Sequence, residues 1–304
     1  MQGRNHNPID DYTMRTQQAR LLVDCRNQLG EGIQWNPDDQ RLYWTDIYGR
    51  RFLSCDENGA DVRDTSLDAS LCCFAFCDAP RMLSAFADGL YWFDPRTQRR
   101  ELIEYYQPER PHTRMNDGAL DRQGRLVVGG MDEEKNAPIT PVWSVAKGAI
   151  HKIADNVGIA NSIAFSPQGE VMYFTDTVGD GIYRYDYDGA TGQISNRQLF
   201  TPNSATPGSP DGSCVDHQGG VWNARFAGGC VQRFLPNGTP DLRVALPVPN
   251  VTCCALGGRN LDRLFITTTQ IGMTKSELAD APTAGGLFYA DVPVHGVRQG
   301  KYLA

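Results

Sequence analysis

Ser209-Pro210-Asp211-Gly212-Ser213-Cys214-Val215-Asp216-His217-Gln218-Gly219-Gly220-Val221-Trp222 reads as turn, short strand, turn, strand. Pro210 fixes its φ, the Asp211 carboxylate can accept from the backbone two residues on, and Gly212 admits positive φ. Gly219-Gly220 makes the second turn before Val221-Trp222. An acidic side chain on a tight turn at a strand's edge is how a sheet protein holds out a metal ligand or a general base. Pro-Asp-Gly alone is also a plain turn sequence, so its meaning depends on where its companions fall.

The Val221 strand has five relatives along the chain. Arg41–Asp46, Met82–Phe86, Arg125–Gly130, Val171–Asp176 and Arg263–Thr268 share its apolar, β-rich character. With Leu42, Leu83, Leu126, Val171, Val221 and Leu264 as markers, the steps are 41, 43, 45, 50 and 43 residues. Each marker strand is preceded by a tight turn or followed by a second strand such as Arg51–Asp56, Gly89–Asp94, Gly181–Asp186, Cys230–Leu235 or Gly286–Asp291. Large apolar and polar residues alternate, the period of strands packed face to face. A repeat of roughly 40–50 residues with several short strands is the signature of a β-propeller. The expected fold is all-β, a six-bladed β-propeller over residues 18–304 as a single domain. Arg20-Leu21-Leu22-Val23-Asp24 falls early enough to complete the last blade and close the ring. Lys275-Ser276-Glu277-Leu278-Ala279 reads as one short turn of helix on a loop. Residues 1–17 are expected to be a disordered extension.

Composition narrows the function. The net charge is −7, and no long basic stretch offsets it, which argues against nucleic acid or an anionic membrane as partner. No apolar run approaches the roughly 18 residues of a membrane span, and the polar N-terminus does not read as a secretory signal. Nine cysteines without such a signal suggest reduced thiols and a cytoplasmic protein. No Cys-x-x-Cys occurs, so the thiols read as small buried hydrophobes. Gly-x-Ser-x-Gly, His-Glu-x-x-His and a phosphate-binding P-loop are also missing. The five histidines are scattered. Asp186-Tyr187-Asp188-Gly189 resembles the start of a calcium loop, but its twelfth position is Arg197, so it reads as a hairpin turn.

A propeller gathers strand starts from every blade around one axis, so polar residues just ahead of marker strands can converge. Glu31 in Leu29-Gly30-Glu31-Gly32, Asn116 in Arg114-Met115-Asn116-Asp117-Gly118, Asn161 in Ala160-Asn161-Ser162, and Asp211 occupy like positions in four repeats. Glu31, Asn161 and Asp211 offer oxygen donors with two negative charges, a set suited to a hard divalent cation. Three protein ligands leave room for water and substrate, as at a catalytic metal. Taken singly, Asn161 also reads as a turn or cap residue, Glu31 as an exposed loop residue and Arg114 as a surface ion-pair partner.

Together these stretches resemble the gluconolactonase and regucalcin (SMP-30) family, six-bladed propellers that hydrolyse sugar lactones. Leu29-Gly30-Glu31, Arg114-x-Asn116-Asp117-Gly118, Asn161, Pro210-Asp211-Gly212, Thr191–Arg197 and Cys254-Ala255-Leu256-Gly257-Gly258 fall in order on its motifs. The resemblance implies Glu31, Asn161 and Asp211 as metal ligands. It implies Arg114 and Asn116 as substrate contacts, and Glu134 as a further substrate-side group on a lid-like loop. Ser162 departs from the Asn-Gly common in the family. The cofactor implied is one divalent ion, calcium first, with Zn, Mn, Mg or Fe as alternatives.

The expected partner is a small-molecule sugar lactone, and the expected assembly a monomer or weak homo-oligomer. The expected reaction is metal-dependent hydrolysis of an aldonolactone to the aldonic acid, with Asp211 as general base. A calcium-binding propeller without turnover, and a related metal-dependent esterase or organophosphatase, are the alternatives.

Overall fold

The computed structural model describes residues 14–78 and 80–303. Its strands form six sheets. Blade 1 is Gly30–Asn36, Arg41–Asp46, Arg51–Cys55 and Arg63–Ser66; blade 2 is Leu71–Ala75, Met82–Phe86, Gly89–Asp94 and Arg99–Tyr105. Blade 3 is Thr113–Leu120, Leu126–Asp132, Thr140–Ala146 and Ala149–Val157; blade 4 is Ala160–Phe165, Val171–Asp176, Gly181–Asp188 and Gln193–Pro202. Ser209–Val215, Val221–Phe226, Cys230–Phe234 and Pro240–Ala245 make blade 5. Blade 6 is Val251–Gly257, Arg263–Thr268 and Leu287–Asp291, completed by Arg20–Val23 from the start of the chain. The first strand of each blade packs on those of its neighbours, so six inner strands line one axis. The fold is a six-bladed β-propeller, and every marker strand is the second strand of its blade.

Arg20–Val23 runs antiparallel to Leu287–Asp291, so the two ends of the chain share blade 6, as the early strand signal implies. The expected extension is corrected at its inner end. Residues 1–13 lie outside the described residues, but Arg15–Gln18 is a strand, paired in parallel with Pro240–Ala245. The cause is the open edge of blade 5, whose free backbone groups accept any extended segment passing beside it. Arg15 Nη2 adds an ion pair to Asp241 Oδ1 at 2.9 Å. The helix signal is real: Lys275–Asp280 is one short helix, with Thr274 and Glu277 bonding reciprocally at its start. Among the described residues no helix is long and apolar enough to cross a membrane.

Apolar side chains on facing sheets fill the gaps between blades. Trp44, Phe86, Trp222 and Phe288 are fully enclosed. Polar turns fix the inner hairpins at their far ends. In blade 5, Asp216 Oδ1 accepts the N–H groups of Gln218 and Gly220, at 2.9 and 3.0 Å. Its Oδ2 accepts from Trp222 Nε1 at 2.9 Å and Arg233 Nε at 2.7 Å. Asp121 repeats the device in blade 3, accepting from Gln123 N, Arg125 N and the Tyr187 hydroxyl. In blades 3 and 5 the turn ahead of the marker strand is therefore held by a buried carboxylate that accepts the N–H groups two and four residues on. Asp216→Ala strands the Trp222 N–H and part of the Arg233 charge, and is expected to lower unfolding free energy by roughly 3 kcal/mol. Urea denaturation measures this; a loss below about 1 kcal/mol would show that the network is not needed.

Candidate functional site

All six inner strands share one irregularity. Pairing with the second strand slips within Glu31–Gln34, Leu71–Cys73, Met115–Gly118, Asn161–Ala164, Pro210–Ser213 and Val251–Cys253. A slip of this kind re-aims side chains that would otherwise alternate across the sheet. The backbone choices follow from it. Gly32 lies in the left-handed region at φ 57°, and so does Ser162 at φ 60°, where a side chain is disfavoured. Ser162 is anchored there by a 2.6 Å hydrogen bond between its hydroxyl and that of Ser213 in the next blade. Gly212 is required by space: a Cβ there would sit 2.5 Å from Cys253 Sγ. Blades 5 and 6 touch backbone to side chain immediately beside Asp211.

These slips bring Glu31, Asp117 and Asp211 together from three blades. Glu31 and Asp117 keep some surface facing the internal axis, and Asp211 is 8% exposed. Cations do little to compensate. Gly32 N–H donates to Glu31 Oε2 at 3.3 Å, and Asp117 accepts from its neighbour Gly118 and, across the blade boundary, from Ile163 N at 2.9 Å. Burial, then the charge of Asp117, push the Glu31 carboxyl up to about 8. Burial pushes Asp117 up to about 6. Asp211 is driven well above the carboxylate range by burial first, then by Glu31 and Asp117.

The amides are oriented. Asn161 Nδ2 donates to the Thr177 hydroxyl at 2.9 Å, and Thr177 donates onward to Pro210 O at 3.1 Å. This leaves Asn161 Oδ1 on the side of Asn116, whose Nδ2 donates to it at 3.2 Å. Asn116 Nδ2 also donates to Ala160 O, and its Oδ1 accepts from Arg114 Nη1 at 2.7 Å. Asn116 thus links Arg114 to Asn161. Arg114 is 4% exposed and pairs through Nε with Glu133 Oε1 at 2.8 Å. The Tyr48 hydroxyl donates to the same oxygen at 2.7 Å, and the Arg114 guanidinium sits 5.4 Å from the centre of the Tyr48 ring.

Of the expected site residues, Glu31, Arg114, Asn116, Asn161 and Asp211 belong to this connected group. Glu134 is not among these contacts: both it and Glu133 are exposed, and it is Glu133 that pairs with Arg114. Asp132 explains the choice. Its carboxylate accepts Glu134 N at 3.1 Å and Ala137 N at 2.9 Å, closing a turn that holds Glu133 toward the axis. The sequence reading also left out Asp117, Thr177 and Tyr48. Asp117 had a signal, standing inside the Asn116-Asp117-Gly118 motif; Thr177 and Tyr48, in loops between strands, had none.

Among the described residues, no group of three or more His, Cys, Asp or Glu is placed to hold a metal. A cation here would depend on the Asn161 amide oxygen as third donor beside Glu31 and Asp211. The donor chemistry fits: two carboxylates that burial and mutual repulsion disfavour as anions, with an amide oxygen fixed by Thr177, suit a hard divalent ion. A cavity of about 120 Å³ lies along the axis, with Asp117 among its lining residues. Residues of the C-terminal tail, Val297, Arg298 and Gln299, help to line it.

A six-bladed propeller with acid, amide and guanidinium groups converging at one end of its axis defines a class of small-molecule site. The sequence profile of the SMP-30/gluconolactonase/LRE-like region matches residues 29–270, and the chain belongs to that family. It is 37% identical to the L-arabinolactonase of Azospirillum brasilense, over 94% of this chain and 95% of that one. It is 36% identical to a pentonolactonase of Haloferax volcanii, over 90% and 94% respectively. A solved structure described as a calcium-binding protein, regucalcin, from Agrobacterium tumefaciens superposes with a TM-score of 0.91 at 28% identity, covering 96% of this chain and 99% of that one.

The raised carboxyls carry a pH consequence. Groups whose folded pKa is raised stabilise the fold fully below the unfolded value, near 4, and lose that contribution as pH rises through the folded one. For Asp117 and Glu31 the window closes near about 6 and about 8. Chelator-treated protein is expected to lose thermal stability between about pH 4 and about pH 8, and saturating Ca²⁺ to flatten that loss. Unfolding midpoints across the range decide it; a chelated midpoint that holds or climbs would contradict the clustering of the acids.

Proposed function

We propose that this protein hydrolyses a sugar lactone to the open-chain sugar acid, assisted by one divalent metal ion. The observation that carries the reading is the joining of Arg114, through Asn116, to the Asn161 amide beside two buried carboxylates. The names of the relatives supply the substrate class. Two are named for lactones of five-carbon sugars, which makes the aldonolactones of pentoses the first to test.

Glu31, Asn161 and Asp211 would hold the ion. When bound, a divalent cation supplies stabilisation of negative charge developing on the lactone carbonyl oxygen. Asp211 acts as general base, accepting a proton from the attacking water at its carboxylate. Its ionisation is unfavourable in this buried setting, and the positive charge of Arg114 and of a bound ion favours it. Thr177 holds Pro210 and Asn161 together, fixing the spacing of the blade 4 and blade 5 groups. Arg114 presents planar donors to the sugar's oxygens, and Asn116 keeps the neighbouring amide in register with it. Glu133 and Tyr48 brace Arg114 from the rim.

A calcium-binding role without turnover is the second reading, favoured by the description of the Agrobacterium neighbour. Arg114 speaks against it, since a pure ion binder gains nothing from a buried cation near its site.

The test is lactone hydrolysis followed by acid release, on a panel of pentono- and hexonolactones. It uses chelator-stripped protein with Ca²⁺, Mn²⁺, Zn²⁺, Mg²⁺ or Fe²⁺ added back singly. Asp211→Asn is expected to lower kcat by about 10²–10⁴-fold. Tight ion binding with no turnover of any lactone would favour the binding protein. Glu133→Gln loosens Arg114 and is expected to raise KM about tenfold, the worth of one charged hydrogen bond, whereas Glu134→Gln leaves KM within about twofold. Equal effects of the two variants would remove Glu133 from its bracing role.

A further inference from the structure

Cys214 and Cys254 face each other across the boundary between blades 5 and 6. Their sulfur atoms are 3.9 Å apart. Cys214 stands on the inner strand Ser209–Val215, and Cys254 on the inner strand Val251–Gly257. Both side chains line the axial cavity of about 120 Å³. Cys254 is buried and its thiol donates to Trp222 O at 3.5 Å, while Cys214 is only partly buried. The two strands pack directly on one another. Their approach is enforced by Gly212, which leaves no room for a side chain against Cys253. The sulfur separation is van der Waals contact, about 1.9 Å longer than a disulfide.

We propose that Cys214 and Cys254 form a peroxide-oxidisable dithiol that closes to a disulfide joining the inner strands of blades 5 and 6. The substrate of this chemistry is a peroxide small enough to enter the axial cavity. The Cys214 thiolate attacks a peroxide oxygen, the O–O bond breaks, and sulfenic acid forms as hydroxide (for hydrogen peroxide) leaves and takes a proton. The Cys254 sulfur then attacks Cys214 Sγ, the S–O bond breaks, and the oxygen departs as water with the proton released by Cys254. Two thiols are oxidised, one peroxide is reduced, and two waters form. Cys254 is buried with its thiol bonded to Trp222 O, whereas Cys214 keeps partial exposure, which makes Cys214 the first to react. The link would lie three positions beyond Asp211 on the same strand. Its formation does not depend on the activity proposed above.

The test is made on the full chain with hydrogen peroxide, followed by alkylation of the remaining thiols under denaturing conditions and peptide mapping. Two of the nine thiols are expected to escape alkylation. A Cys214–Cys254 linked peptide should appear, and dithiothreitol should restore both thiols. Cys214→Ser, which removes the thiol at a partly buried position, should abolish the link and leave Cys254 alkylated. Cys214→Ala serves as a second variant with the same expectation. The proposal is overturned if all thiols still alkylate. It is equally overturned if Cys214 is carried to sulfinic or sulfonic acid with Cys254 unlinked, or if the missing pair maps elsewhere.

Discussion

Holding Glu31, Asp117 and Asp211 close together and away from bulk water is the constraint on which the rest of this structure depends. Each acid alone would cost free energy to bury as an anion, and together they repel. The fold accommodates them by drawing them from three blades, each fixed by its own sheet, so that none can retreat without breaking a ladder of backbone hydrogen bonds. Local support is modest: Asp117 receives two N–H groups and Glu31 one. The remaining demand for positive charge is what an oxygen-seeking divalent ion would meet.

The blade-to-blade ties fall where they hold this arrangement. Asp117 reaches from blade 3 to Ile163 of blade 4, Thr177 joins blade 4 to Pro210, and Ser162 meets Ser213. On the blade 1 side, Asp46 accepts from Leu29 N at 2.8 Å and Gln28 N at 3.1 Å, holding the lead-in to Glu31. Asp176 does the same ahead of Asn161, accepting from Gly158 N and Ile159 N. The carboxylate at the end of the second strand therefore fixes where the inner strand begins. The slip in pairing just beyond fixes which way its polar side chain turns.

Much of this was legible from residues alone, for identifiable reasons. Blade number followed from the marker strands because each repeat must bury the same apolar second strand between sheets, which imposes a period on the sequence. That Glu31, Asn161 and Asp211 stand at like positions of their repeats was legible, because each sits just ahead of a marker strand beside small residues. The choice between Glu133 and Glu134 was not legible. It depends on the turn that Asp132 closes by accepting backbone N–H groups, and three adjacent acids carry no pattern that reveals it. The strand Arg15–Gln18 was hidden for another reason. Its pairing to blade 5 runs through backbone groups, which any residue but proline provides.

The ring is chemically lopsided, and this bears on how the acids are tolerated. Blades 1, 3, 4 and 5 contribute carboxylates, amides and Arg114, while blades 2 and 6 present Cys72, Cys73 and Cys253 to the same region. Burial raises all three thiols, Cys72 to about 11 and the others well above the ordinary range, and the neighbouring acids push the same way. These thiols stay neutral at physiological pH and add no charge to a cluster already rich in it. A Ser hydroxyl in their place would be more polar and would demand partners the packed strands do not offer, and an Asp would worsen the repulsion. A neutral, polarisable sulfur fills the space and keeps water out. Excluding water in turn strengthens every charge interaction at the mouth of the axis. The cysteines that read in the sequence as small hydrophobes are therefore part of what keeps these acids in surroundings of low polarity.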